Sequence, residues 1–334
     1  MPDIGRRNAL AALGLLAAGR AAAQGANQGA NQGAPQDWPG RPLRLVVPFA
    51  PGGASDLLAR LVAERLSAPL GQPVIVENRP GAGATIGANA VAKAPADGLT
   101  LLYGTPGPQI INPSLMPDLP YDPVRDFAPI ISLVTAPNLL VVHPALPVRS
   151  VPELIALARA QPGRLTFGSS GIGASSHLAG EMLKQRARID ILHVPFRGSG
   201  PAIQELLAGR LSFLIDTLLL FTEHRATGAV RAIAVSTPGP SSLMPDLPTI
   251  AATLPGFDAA AFNYLAAPAG TPPAVIARLN REVNVILAEP NFRRRLGELG
   301  LEPIGGTPAE TAATIRAEAV RWREVILAAS IKVE

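Results

Sequence analysis

Cysteine is absent from the 334-residue chain, which excludes disulfides, thiolate nucleophiles and every metal centre built on sulfur ligands. Histidine is scarce as well. Its four copies include no His-x-x-x-His pair that would set two imidazoles on one helix face, so no metal site is expected. Aromatic residues make up only 4% of the chain, and the basic residues, mostly Arg, form no cluster interleaved with them. A nucleic-acid surface is therefore not expected, and the net charge of +4 reads as diffuse composition. No apolar run reaches the roughly 20 residues that a bilayer span needs, so a soluble mature protein is expected. A Gly-x-Ser-x-Gly nucleophile elbow is also missing.

What the chain has instead is 48% apolar residues together with 35 Pro and 32 Gly. That combination suits an α/β protein with many short connections and a sizeable core, and at this length two domains are expected. The first 37 residues differ. Arg6 and Arg7 precede a short apolar core from Ala9 to Ala18 and then Ala21-Ala22-Ala23, so residues 1–23 read as an export signal cleaved before Gln24. The Arg pair leaves the general secretory and twin-arginine routes both open. Residues 24–37, in which GANQ repeats at Gly25–Gln28 and Gly29–Gln32, read as a flexible low-complexity tether. Folding is expected to begin near Trp38.

From there, short apolar runs alternate with helical patterns: strands at 43–47, 73–77 and 100–104, with helices at 55–69 and 84–93. A long apolar stretch from Phe127 to His143, broken by Pro137, leads to a second series. This has helices at 151–161, 175–187 and 200–209, and strands at 164–168, 190–194, 211–216 and 230–236. Such alternation predicts parallel sheets built from right-handed β-α-β units. An extended run at 259–267 returns the chain to the first lobe, which helices near 272–288, 290–299 and 307–328 complete. The expected fold is α/β with two lobes, 38–138 plus 262–334 and 139–261, joined by two crossing segments that act as a hinge beside a cleft. Ligands in such folds sit outside the carboxyl ends of the strands.

Two segments occupy that position. Leu43–Asp56, LRLVVPFAPGGASD, and Leu165–His177, LTFGSSGIGASSH, each run from a buried-strand signal through a Gly-rich loop into a helix. A helix start leaves N–H groups unpaired and carries partial positive charge, so each segment is an anion seat. Gly52 and Gly53 could equally serve only a tight turn, but the second matching loop favours binding. Asp56 reads as a cap on free N–H groups, since it would repel an anion. His177 beside Ser176 invites a hydrolase reading, but adjacent helical positions point apart, and a packing or capping histidine is expected. Asp216, after the apolar run Leu211–Ile215, either holds a turn or faces the cleft. Arg197 either clamps a carboxylate or is solvated.

The ordered series WPGRPLRLVVPFAPGGASD (38–56), VENRPGAGATIGANAVAKAPADGLTLLYG (76–104), FGSSGIGASSHLAGE (167–181), VPFRGSGPA (194–202), PAGTPPAVIARLN (268–280) and EPIGGTPAE (302–310) resembles the Bug family, the extracytoplasmic solute receptors of tripartite tricarboxylate transporters. The resemblance covers residues 38–328. It implies a type II periplasmic binding fold that closes on a small carboxylate. The implied ligand-binding residues are Phe49, Ala50, Gly52, Gly53 and Ser55 from the first loop, Thr105, then Ser169, Ser170, Gly173, Ser175 and Ser176 from the second, with Arg197, Gly198, Ser199 and Asp216 completing the cleft. The chain departs from the family at Ala174, where Ser or Thr is frequent, which leaves Ser175 to supply that hydroxyl. The implied partners are a carboxylate solute and membrane permease subunits, with a monomeric, periplasmic receptor and no cofactor. A binding protein, not an enzyme, is the expected reading. Its rivals are an exported hydrolase or transferase using the same cleft, and a receptor that signals to a sensor.

Overall fold

The computed structural model describes residues 38–116 and 118–331. The expected export signal and tether lie outside the described residues. Among those residues, no helix is long and apolar enough to cross a membrane.

The chain runs β1 (Leu43–Val47), α1 (Ala54–Leu70), β2 (Val74–Asn78), α2 (Thr85–Ala92), β3 (Thr100–Gly104), the short α3 (Asn112–Leu115) and β4 (Phe127–Ala136). It continues through β5 (Asn138–Val142), α4 (Val151–Ala160), β6 (Thr166–Ser169), α5 (Ser175–Ala187), β7 (Leu192–Pro195), α6 (Ser199–Leu207), β8 (Phe213–Thr217), α7 (Thr222–Ala226) and β9 (Arg231–Val235). It closes with β10 (Ala261–Pro268), α8 (Pro273–Ala288), α9 (Pro290–Glu298), β11 (Glu302–Gly305) and α10 (Pro308–Ala328). β1 reads LRLVV and is buried at every position except Arg44, as a strand covered on both faces must be. The α1 helix ends at Gly71, whose φ of 70° supplies the left-handed cap.

Two sheets result, ordered β11-β4-β10-β3-β1-β2 and β7-β6-β8-β5-β9. The expectation of parallel sheets holds only in part. β1 is parallel to β2 and β3, and β6 to β7 and β8, but β10 is antiparallel to β3 and β4, β11 to β4, and β5 to β8 and β9. Both sheets are mixed because the chain reverses where it passes between them without a β-α-β crossover: β4 passes to β5 through Pro137 alone, and β10 follows an irregular excursion, while β11, reached from β10 through α8 and α9, keeps the direction of β10.

Those two passages position everything that follows. β4 runs with β3, so it ends at the carboxyl edge of the six-stranded sheet, and β5 starts where β8 ends, Asn138 pairing with Thr217. The second passage, residues 236–260, likewise leaves the carboxyl end of β9 and returns opposite the end of β4, Ala261 pairing with Ala136. The sheets therefore meet carboxyl edge to carboxyl edge. Asn138 clasps the passages together: its N–H donates to Ser236 Oγ, its carbonyl accepts from the Ser236 N–H, and its Nδ2 donates to the Ala259 carbonyl at 2.8 Å. One apolar cluster runs through both halves, joining Leu102 and Tyr264 to Phe167, Leu178 and Met182, with Ile315 and Trp322 of α10 between them.

Candidate functional site

At the carboxyl edge of the six-stranded sheet, the loop after β1 turns through Gly52, whose φ of 86° only glycine adopts freely, into Gly53, the N-cap of α1. Asp56 shapes this loop. Its carboxylate, almost fully buried, accepts from the Gly52 N–H at 2.9 Å, from Arg60 Nε at 3.0 Å and from Asn78 Nδ2 at 2.9 Å. Those donors, Arg60 first and the Gly52 amide next, hold its pKa down at about 2. Asp56 is thus a brace, as its place in the first turn suggests, and Asn78 completes it by also donating to the Phe49 carbonyl. Gly53 carries no side-chain cap, so the first N–H groups of α1 have no capping partner among the described residues. Ala50, Gly52 and Gly53 are exposed, and Phe49 and Ser55 half-buried.

Behind Ser55 lies the phenol of Tyr103, which hydrogen-bonds Ser55 and the Asn263 amide and whose pKa burial raises. Beside it Thr105 is buried, with an Oγ1 that has no partner among the described residues. Sequence reasoning missed Asn78, Tyr103 and Asn263. The argument that singled out Asp216, a polar residue at a strand's carboxyl end, applies to Asn78 equally and would have found it.

The second wall forms at the carboxyl edge of the five-stranded sheet. Here the predicted residues divide by accessibility. Ser175 and Arg197 are exposed and Ser170, Gly173, Gly198 and Ser199 half-buried, whereas Ser169 and Ser176 are buried. Ser169 Oγ lies 2.7 Å from His193 Nε2, and Ser176 Oγ accepts from the Ser170 N–H at 3.0 Å while meeting Ser170 Oγ at the same distance. Two N–H groups read as open to a ligand are engaged as well: Gly173 donates to His177 Nδ1 at 3.0 Å and Gly198 to the Ser170 carbonyl at 3.0 Å. The free donors of this wall are instead at the start of α5, whose N-cap is Ala174, a residue with no side-chain oxygen.

Asp216 pairs its Oδ2 with Ser199 Oγ at 2.7 Å and its Oδ1 with the Thr217 N–H at 2.8 Å. It therefore ties the start of α6 to the end of β8. Burial pushes its pKa up, against the pull of those two bonds. His177 is a packing and capping residue: its ring stacks on His193 at 3.8 Å and is flanked by Phe167. Burial lowers both imidazoles from 6.5 to about 4, so both are neutral near pH 7. Among the described residues no group of three or more His, Asp or Glu could hold a metal ion, and no hydrogen bond joins the loop at 49–53 to the loop at 170–174.

The arrangement offers two uncapped helix starts on two sheets that meet at their carboxyl edges, a geometry suited to the two ends of one small anion. Comparison with known proteins agrees. Residues 58–331 match the model of the tripartite tricarboxylate transporter family receptor. The protein BugT of Bordetella pertussis is 38% identical over 291 residues, 86% of this chain and 89% of its own. Among solved structures, R. palustris Rpa4515 with adipate is 40% identical at a TM-score of 0.72, with 88% of this chain and 99% of that one covered. MatC from Rhodopseudomonas palustris with bound malate is 34% identical at 0.68, with 86% and 100% covered. With the matched model spanning most of its length, the chain belongs to the tripartite tricarboxylate transporter receptor family.

Proposed function

We propose that the protein is a periplasmic receptor that captures a small dicarboxylate between two lobes, 38–138 plus 262–334 and 139–261, and hands it to the permease of a tripartite transporter. The observation that carries this reading is the pair of uncapped helix starts at α1 and α5. Two helices start with side-chain caps, Ser150 accepting from Glu153 at α4 and Thr307 forming a capping box with Glu310 at α10, whereas α2, α3, α6, α7, α8 and α9 start without one. The open starts of α1 and α5 count because each follows a Gly-rich loop at the carboxyl edge of a sheet. One seat per lobe suits a ligand with two acidic ends, and the relatives that hold adipate and malate bind molecules of that form.

The ligand contacts fall to the loop at Phe49–Gly53, the free N–H groups at the starts of α1 and α5, the hydroxyls of Thr105, Ser170 and Ser175, and the Arg197 guanidinium. Ser169, Ser176, Ser199 and Asp216 hold those groups in place. A binding role is favoured over hydrolysis because Ser176 Oγ is committed to Ser170 and His177 Nδ1 to Gly173, and because the serine that does meet a histidine, Ser169 at 2.7 Å from His193 Nε2, is fully buried and out of a substrate's reach. Calorimetry with malate, adipate and longer dicarboxylates tests the reading. Binding that stabilises the fold by about 2.7 kcal/mol at 100 times the dissociation constant supports it, and silence across the dicarboxylates and tricarboxylates overturns it. A mature chain beginning at Gln24 in the periplasmic fraction, read by N-terminal mass spectrometry, supports the location.

A further inference from the structure

The second loop rests on a pair of histidines that no ligand needs to touch. His177, the third residue of α5, turns back so that Nδ1 accepts the Gly173 N–H at 3.0 Å. That bond requires Nδ1 unprotonated, which puts the ring's hydrogen on Nε2, 3.9 Å from Glu181 Oε1. His193, the second residue of β7, contributes Nε2 at 2.7 Å from Ser169 Oγ. Ser169 Oγ in turn lies 3.3 Å from the Gly171 N–H and 3.2 Å from the Gly171 carbonyl. The two rings lie face to face, 3.8 Å between centroids and 11° between planes. Both ends of the loop, Ser169 at entry and Gly173 at exit, are thus bonded to one imidazole stack, which Phe167 backs at 4.8 Å from His193.

We propose that His177 and His193 are positioning residues for the ligand: as a neutral stacked pair they hold the loop in the shape that presents the free N–H groups of α5, and protonation of the stack releases it. This rests on the ligand reading above. A proton on His177 Nδ1 turns an acceptor into a donor facing the Gly173 N–H, and a charge on either ring faces the other at stacking distance. The charged groups around the pair are Glu181 and Lys184 on α5, while β6 offers only Phe167 and Ser169, and β7 no charged residue besides His193. β8, which also packs on α5, brings Asp216, whose carboxylate is bonded to Ser199 and Thr217. The α10 helix, which also packs on α5, brings Glu318 and Arg321, and these are paired with each other.

The test has a ligand-free arm and a binding arm. In the free protein, NMR titration of the imidazoles from pH 7.5 to 3.5 should show both protonating near pH 4, with the Gly173 amide resonance moving at the same midpoint. A Gly173 amide indifferent to the His177 titration, or a histidine of the pair that titrates at 6.5, overturns the proposal. In the binding arm, His177→Phe keeps an aromatic ring but no acceptor, and dicarboxylate affinity should fall tenfold or more at pH 7.5. His177→Asn keeps an acceptor that does not protonate, and should retain affinity at pH 7.5 and lose at least twofold less than wild type at pH 4, ligand protonation being common to both. Wild-type affinity in a folded His177→Phe protein overturns the proposal. Wild type that binds no carboxylate removes the ligand reading alone, and the Gly173 titration still decides whether the stack braces the loop.

Discussion

Gly53 has φ −83° and ψ 173°, a conformation open to any residue, and a Cβ built there meets only the Ala50 carbonyl oxygen at 3.9 Å. Gly53→Val is therefore expected to fold normally and to cover the N–H groups at the start of α1. Dicarboxylate affinity by calorimetry should fall tenfold or more, about 1.4 kcal/mol, and unchanged affinity would remove this loop from the site. Gly52, at φ 86°, is the wrong place for that experiment, because any side chain there strains the turn. Asp216 calls for a comparison between ligands. With both oxygens committed to Ser199 and Thr217, Asp216→Asn should change affinity for a plain dicarboxylate and for an amine-bearing acid by the same small amount. Selective loss of the amine-bearing ligand, on the order of 1.5 to 3 kcal/mol for a hydrogen bond to a charged group, would place its carboxylate against the ligand instead.

At the scale of elements, much was legible and the misses have causes. β1, β3 and α5 fall on their expected residues, because an uninterrupted apolar run and a Gly-rich helix start are local signals. β11 was not read as a strand: it is four residues long, contains Pro303, and pairs on one side only, at a sheet edge where proline is tolerated. The direction of β5 and β10 was also hidden, since strand polarity follows from what the chain does between strands and not from their composition. The site divides in the same way. Loop glycines and helix starts could be read, but whether a serine faces a ligand or a neighbouring ring could not, and Ser169 proved to face His193 only in three dimensions. α10 gives the testable case. Its Arg321 lies between Glu318 and Asp258, 3.1 Å from the latter, and Trp322 Nε1 donates to Glu318 at 2.9 Å. Arg321→Met would leave two partly buried carboxylates without their cation and should cost about 3 to 5 kcal/mol in urea denaturation. A loss under 1 kcal/mol would mean that the cluster is solvated.

For the molecule as a whole, these groups set opposing pH slopes. Burial pushes Glu318 up to about 7, so the folded chain holds a proton there that the unfolded chain releases at 4.5. Its contribution is full below 4.5 and is lost as the pH rises through 7. The histidine stack has the opposite sign: the unfolded chain takes up protons below 6.5 that the folded chain refuses down to about 4, so its contribution fades on acidification across that window. Above 6.5 only the Glu318 slope of these two remains. Glu318→Gln is therefore expected to shrink the fall in urea midpoint between pH 6.5 and 8, and an unaltered alkaline slope would assign that loss to other groups.

The two passages between the sheets differ in a way that reaches beyond mechanics. Pro137 stands alone between a paired Ala136 and a paired Asn138, so one extra residue there would shift the register of a whole sheet against the other. Residues 236–260 leave and return at nearly one point, the Ala259 N–H donating to the Ser236 carbonyl at 3.1 Å with Asn138 bonded to both ends. The length of that excursion is thus uncoupled from the distance between the sheets; Ile250 and Phe257 anchor most of it in the core, but at its solvent-facing stretch 238–240 lengthening costs only the slowly growing entropy of a closed loop. Inheritance should show the asymmetry. Among descendants of a common ancestor, insertions and deletions are expected to accumulate near 238–240 and to be purged beside Pro137, making that turn of the longer passage the part of the gene free to drift in size and acquire new surfaces.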